Sequence, residues 1–311
     1  MPLDPVILFF LLGAIAGLLR SEMRLPAPVY ELLSIVLLLA IGLKGGVELA
    51  KQPFAAVSHQ VLAVVAMGTV MPLMAYPVLR LVGKMKREDA ASLAAHYGSV
   101  SVGTFAVAVA YLSYQQISFE EHMPLFVVVL EIPAIVVGVL LAKGLSRNSQ
   151  WGRMAHEVLL GKSMVLLVGG LVIGWTVGAD GIAPIKPLFF DLFRGVLALF
   201  LLEMGLLAAS QISVLRQHGA FLLGFGVAMP LVGAVIGMAL GHVLGLSLGG
   251  TVLMATLAAS ASYIAVPAAF RLIVPQANPT LSLIASLGVT FPFNILAGIP
   301  LYHQMATRLE F

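Results

Sequence analysis

Cysteine is absent from this chain, so disulfides, thiolate catalysis and cysteine-ligated metals are excluded. Charge is scarce as well. Asp, Glu, Lys and Arg make up 10% of the 311 residues, against about 25% in a soluble domain, too few to solvate a globular surface. The signatures of catalysis are also missing: there is no phosphate loop and no His-Glu-x-x-His helix. Gly98-Ser99-Val100-Ser101-Val102 departs from the Gly-x-Ser-x-Gly nucleophile elbow and has no strand context. No enzymatic activity, no cofactor and no metal other than a transported or coupling ion are therefore expected. The net charge of +3 is carried by loops, as membrane orientation requires, and does not point to nucleic acid.

What remains is hydrophobic: 60% of the residues, with a mean hydropathy of +1.04. The chain reads as an all-α polytopic membrane protein in a lipid bilayer. About 20 apolar residues span a bilayer, and ten such segments occur, near 5–20, 27–47, 57–83, 88–114, 122–145, 160–178, 185–209, 216–246, 248–274 and 279–307. The first begins almost at Met1 without a basic n-region or a small-residue cleavage site, and reads as a span instead of a signal peptide. The one long polar connector, 144–161, falls at the midpoint. It divides the chain into 1–145 (spans one to five), a cytoplasmic linker at 146–160, and 161–311 (spans six to ten). Of the 17 Lys and Arg, 12 fall on the side of that linker and four on the other, with Arg194 inside span seven. Basic loops stay cytoplasmic, so both termini are expected outside the cytoplasm.

The two halves repeat. Residues 98–139 align on 257–298 without a gap at an offset of 159, which sets Ser101 on Ser260, Ala106 on Ala265, Val107 on Val266 and Pro133 on Pro292. Gly13 and Gly17 match Gly170 and Gly174, Gly42-Leu43 matches Gly205-Leu206, and Met71-Pro72-Leu73 matches Met229-Pro230-Leu231. These matches keep one order at offsets of 157 to 163. Five spans per half is an odd number, so the second half enters the membrane upside down. The expected architecture is ten transmembrane helices in a 5+5 inverted repeat with discontinuous helices in each half, the plan of secondary transporters.

Spans four and nine carry the discontinuities. Gly98, Ser99, Ser101, Gly103 and Thr104 interrupt span four between half-helices at 88–96 and 104–113; Ser260, Ser262, Tyr263 and then Pro267 interrupt span nine. Small residues at such depth also serve close helix approach; their duplication makes a shared central site the better reading. Half-helix N-termini present free N–H groups and partial positive charge to a small oxyanion. Freed carbonyls and hydroxyls suit a hard cation such as sodium. Intramembrane ionisable groups are functional candidates by default, and Glu131, two residues before Pro133, is the first choice for a coupling-ion ligand. An ion pair with Arg194 is its structural alternative. Thr290, aligned on Glu131, and Asn294 offer neutral oxygens that either bind the cation or bridge helices, and Ser101 and Ser262 extend the cation set. Glu203 reads equally as a second acidic ligand or half of a salt bridge; His96 reads more readily as a packed histidine than as a proton shuttle.

These residues resemble the cyanobacterial-type sodium-dependent bicarbonate transporters over nearly the whole chain. The resemblance rests on Ile41-Gly42-Leu43 with Gly45-Gly46, residues 98–104, Glu131-Ile132-Pro133-Ala134 and residues 258–267. Arg271, Pro275, Ala277-Asn278-Pro279, Ser286, Pro292 and Ile299-Pro300-Leu301 also fit. It implies a homotrimeric symporter of the bacterial inner membrane with core and gate subdomains, carrying bicarbonate or a similar small anion with sodium. The two breaks would be its anion site, with Ser101, Thr104, Ser260 and Ser262 as hydroxyls and Gly98 and Gly103 in the loop. A trimeric nucleotide-binding regulator of the PII type is the partner it implies on the cytoplasmic face. Two departures bear on sodium and substrate: Tyr263 stands where the family has an aspartate, and Ser101-Val102-Gly103-Thr104 replaces Ser-Gly-Ser-Thr. A proton-coupled or organic-anion carrier on the same fold, or an uncoupled channel, stay open beside the sodium symporter.

Overall fold

A computed structural model describes residues 4–51, 54–144, 152, 156 and 159–309. Among them there is no strand. In hydrocarbon an apolar chain satisfies its backbone within each segment by coiling into helices. These are α1 (Pro5–Leu18), α2 (Ala27–Leu49), α3 (Phe54–Pro77, extended by a wide turn at Val78–Val82), α4 (Arg87–Gly98), α5 (Val102–Tyr114) and α6 (Met123–Lys143). The second half supplies α7 (Lys162–Ile182), α8 (Phe193–His218), α9 (Ala220–Val243), α10 (Leu248–Ala259), α11 (Ala265–Ile273) and α12, which runs through Pro279–Arg308 with π turns at Ile284–Thr290 and Asn294–Gly298. Among the described residues, and taking α4 with α5 as one span, eight helices are long and apolar enough to cross a membrane. Two more apolar helices are shorter: α1, with 14 residues, and α10, with 12. The linker placed at 146–160 lies outside the described residues, apart from Gly152, His156, Leu159 and Leu160.

Span nine is broken at the small residues that mark it in the sequence: α10 stops at Ala259, residues 260–264 are non-helical, and α11 begins at Ala265. Two expectations need correction. Span seven starts later than its apolar run, because Pro184 and Pro187 lack amide donors and hold 183–191 in short 3₁₀ and π turns before α8. Pro267 is not part of the break. It occupies the first turn of α11, where its missing N–H has no carbonyl to serve.

Two helix pairs form one side of the molecule, α1 against α8 and α2 against α7. Glycine makes both possible. A Cβ on Gly13 would strike the Leu202 carbonyl and one on Gly205 the Phe10 carbonyl; Gly42 and Gly46 meet the backbone of Leu167 and Leu171, and Gly174 that of Leu43. Gly13 and Gly17, Gly42 and Gly46, and Gly170 and Gly174 are Gly-x-x-x-Gly pairs, which bring backbones together where lipid supplies no hydrophobic drive between helices. Helices α3, α4 and α6 pack on one another, as do α9, α10 and α12, while the second halves of the broken spans cross over, α5 packing on α10 and α11 on α4 and α6. Peripheral Leu62, Leu81, Trp175 and Val243 are exposed, as lipid-facing residues should be.

Inside, the buried polar groups that tie the helices of the second half together, and to α4, are matched to partners. The Tyr97 hydroxyl meets Thr290 Oγ1 at 2.6 Å, and Thr290 Oγ1 donates to the Gly226 carbonyl at 2.7 Å. Asn294 Nδ2 donates to the Ala259 carbonyl at 2.9 Å and its Oδ1 accepts from Tyr302 at 2.7 Å. Asn294 thereby ties α12 to the end of α10.

Gly46→Leu is expected to lower the stability of the purified protein by about 3 kcal/mol, since backbone on α7 cannot yield to the added side chain. Gly169→Leu, whose Cβ meets nothing within 4 Å, should leave it unchanged. Thermal unfolding in detergent compares the two, and equal midpoints would contradict the close-approach assignment.

Candidate functional site

The two breaks cross. Helix α4 ends at Gly98, Ser99 is extended, and Ser101 starts α5 as its N-cap, its Oγ accepting from Thr104 N at 3.1 Å and Thr104 Oγ1 at 2.9 Å. Residues 260–264 play the same part in the second half: Ser260 is extended, and Ser262 Oγ accepts from Val266 N at 3.4 Å in the first turn of α11. Each strand of the crossing is held by the other. Ser101 N donates to Ser260 Oγ at 3.0 Å, and Ser262 N donates to the His96 carbonyl at 2.8 Å. The pair aligned by the repeat, Ser101 and Ser260, is thus in direct contact.

The breaks are shorter than their runs of small residues. Gly98 closes α4 and Gly103 lies within α5, so neither is loop. Both are needed for close approach: a Cβ on Gly98 would overlap the Pro72 ring, and one on Gly103 would overlap the Tyr263 hydroxyl and press on Phe200. Hydroxyls of Ser101, Thr104, Ser260 and Ser262 all serve helix ends or each other. Three other buried polar atoms at the crossing have no hydrogen-bond partner of good geometry among the described residues: Ser99 Oγ, His96 Nε2 and the Tyr263 hydroxyl. His96 Nδ1 is engaged by the Ser92 carbonyl at 2.7 Å, so only its far nitrogen is open.

Ser101, Ser262, Tyr263 and Glu131 share the wall of a small cavity of about 10 Å³ with Ser163, Val100 and Ile264. That volume holds about one water. A second cavity of about 80 Å³ continues from it past Glu131, Ser163, Ile264 and Ala265 to Gly161 and Lys162. Glu131 is 3% exposed and makes no ion pair or hydrogen bond among the described residues. Arg194 is not its partner; its guanidinium grips the Asp4 carboxylate at 3.0 and 3.1 Å, near the start of α1. Glu203 makes no salt bridge among the described residues, and its Oε2 is buried without a partner. Thr290 and Asn294 do not line the crossing cavity, and their polar atoms are bonded within the protein as above.

Ser163 was not singled out from the sequence. Nothing in its local pattern distinguishes it, for it sits in the first turn of α7 beside Lys162, and only the approach of α7 to α6 brings it to Glu131.

Ser99 Oγ has no partner among the described residues and the Tyr263 hydroxyl makes only a poorly aligned approach to Ser101, so removing either forfeits little hydrogen bonding. Ser99→Ala and Tyr263→Phe should therefore keep thermal stability or raise it by up to about 1 kcal/mol, while weakening anion binding measured on the same preparations. A stability loss in both would mean that these hydroxyls are structural.

The crossing combines two half-helix N-termini, free hydroxyls and one carboxylate, a donor set for a small oxyanion beside a hard cation. No curated protein matches the chain. Residues 5–307 match the Na+-dependent bicarbonate transporter superfamily, and with nearly its whole length inside that match the chain belongs to this family.

Proposed function

We propose that the protein is a secondary transporter that takes up bicarbonate, or a similarly small anion, together with sodium by alternating access around the crossing of the two broken spans. The observation that carries this reading is the hydrogen bond from Ser101 N to Ser260 Oγ at 3.0 Å, which holds the N-terminus of α5 against the break between α10 and α11. Carbonic oxyanions accept hydrogen bonds on every oxygen. Ser99, Tyr263 and the N-terminal amides supply donors there, while Glu131, Ser163 and the serine oxygens offer a cation its ligands.

Family membership and helix pairing support ten spans in a 5+5 inverted repeat. Exchanging the halves turns span one against span seven into span six against span two, and α1 on α8 and α7 on α2 are the two pairs present. In this reading α1, α2, α7 and α8 form a gate, and the remaining helices a core that carries the crossing past it. The basic loops set Lys162 and the 80 Å³ cavity on the cytoplasmic side, with both termini outside, in a bacterial inner membrane. A homotrimer and a PII-like cytoplasmic regulator follow from the family resemblance and belong to the same proposal. Sodium is the coupling ion, with Glu131 and Ser262 as its first ligands.

A second reading, an organic-anion or proton-coupled carrier, draws on Tyr263 in place of the family carboxylate. In the organic-anion form, the Tyr263 hydroxyl donates to a substrate carboxylate.

Reconstituted in liposomes, the protein should accumulate labelled bicarbonate along an inward sodium gradient. Equal uptake with potassium in place of sodium would end the coupling claim. Ser101→Ala and Ser260→Ala should each raise the bicarbonate KM by about tenfold, the effect of losing about 1.4 kcal/mol. Glu131→Gln should flatten the sodium dependence with a smaller effect on bicarbonate. Wild-type kinetics in both serine variants would reduce the crossing to a helix-packing motif.

A further inference from the structure

On the face carrying Lys51 and Glu121, a separate cavity of about 270 Å³ opens between α2, α5 and the start of α8. Its chemistry differs from that of the crossing. Its mostly apolar wall includes the rings of Phe105, Phe119, Phe189, Phe190 and Phe193, and among the described residues the charged groups that line it are Lys44 and Arg194. Most of Arg194's charge is answered by Asp4. Lys44 has no carboxylate within 4 Å among the described residues; its Nζ rests over the Phe119 ring, 5.5 Å from the centroid. The nearby acids Glu48 and Glu121 are drawn to Lys51 instead, at 2.7 and 3.7 Å, outside the cavity.

We propose that this cavity is a binding site for a soluble aromatic monocarboxylate, with its ring among the phenylalanines and its carboxylate on Lys44. The volume and the mostly apolar wall with a few fixed charges are those of a small-molecule pocket. Charge complementarity picks the sign: a half-buried ammonium over an aromatic face, whose nearest acids Glu48 and Glu121 are shared with Lys51, gains from a carboxylate placed directly on it. The rings pick the rest. Bicarbonate is hydrated on all sides and gains nothing from five phenyl walls, whereas an aromatic acid buries its ring there and can stack at the offsets such rings prefer. Because the cavity is bounded by α2 and α8 on one side and α5 on the other, an occupant bridges helices that the proposed transport cycle would separate, and holds them in this arrangement.

The test needs neither sodium nor bicarbonate, so its failure is distinct from failure of the transport reading. Purified protein in sodium-free buffer is titrated with benzoate, with acetate as the carboxylate lacking a ring, and thermal unfolding is followed. Benzoate is expected to raise the midpoint saturably and acetate at the same concentrations to leave it in place. Lys44→Gln should weaken the benzoate response at least tenfold, while Lys44→Arg retains it, which separates loss of charge from loss of fold. Equal responses to benzoate and acetate, or an unchanged benzoate response in Lys44→Gln, would overturn the proposal. So would a co-purifying fatty acid or anionic lipid that depends on Lys44 and is not displaced by benzoate.

Discussion

Backbone amides and carbonyls released in a low-dielectric interior must find partners, and this constraint shapes the centre of the molecule. Two helices are broken there, and each break is repaired by the other. Ser260 Oγ answers the amide of Ser101, and the His96 carbonyl answers the amide of Ser262. Neither half could hold its break alone without water or ligand. The crossing therefore explains why small hydroxyl residues recur at matched positions: serine is short enough to let two extended backbones touch and still supply an acceptor.

Everything around the crossing serves that proximity. Pro72 seats against Gly98, and Tyr263 and Phe200 close on Gly103, so a Cβ at either position would push the half-helices apart. On the far side, Asn294 binds the last carbonyl of α10 and is itself fixed by Tyr302. The glycine seams of α1 with α8 and of α2 with α7 have a different role. They lock four long helices into a frame by backbone contact, with dispersion replacing the hydrophobic effect. A tightly knit frame beside a core joined to it by fewer interlocking surfaces is the arrangement in which one body moves against the other.

The polar groups divide into two populations. Ser101, Thr104, Ser260, Thr290 and Asn294 are satisfied within the protein, and their first duty is structural. Ser99, His96 Nε2, Tyr263 and Glu131 are buried with bonding capacity left over. Leaving a buried polar atom unpaired costs about 1–3 kcal/mol, and a fold retains such atoms where a ligand or water completes them. The residues richest in ligand potential are thus not the serines that mark the motif but their neighbours.

From the sequence alone came the membrane class, the positions of most helices, the two sites of breakage and the gapless match of Ser101 with Ser260. Each rests on composition, span length or periodicity, which are local properties of the chain. Local pattern also overstated the breaks, because glycine and proline weaken a helix without ending it: Gly98, Gly103 and Pro267 stayed helical once neighbouring backbone and first-turn geometry accommodated them. Tertiary structure alone decided which polar atoms were left open. It paired Arg194 with Asp4 and left Glu131 without a partner among the described residues; it used up Thr290 and Asn294 in helix ties and carried Ser163 to the cavity wall. Those outcomes depend on which distant helices meet, and hydrogen-bond partners across 35 to 190 residues of separation leave no trace in the spacing around any one of them.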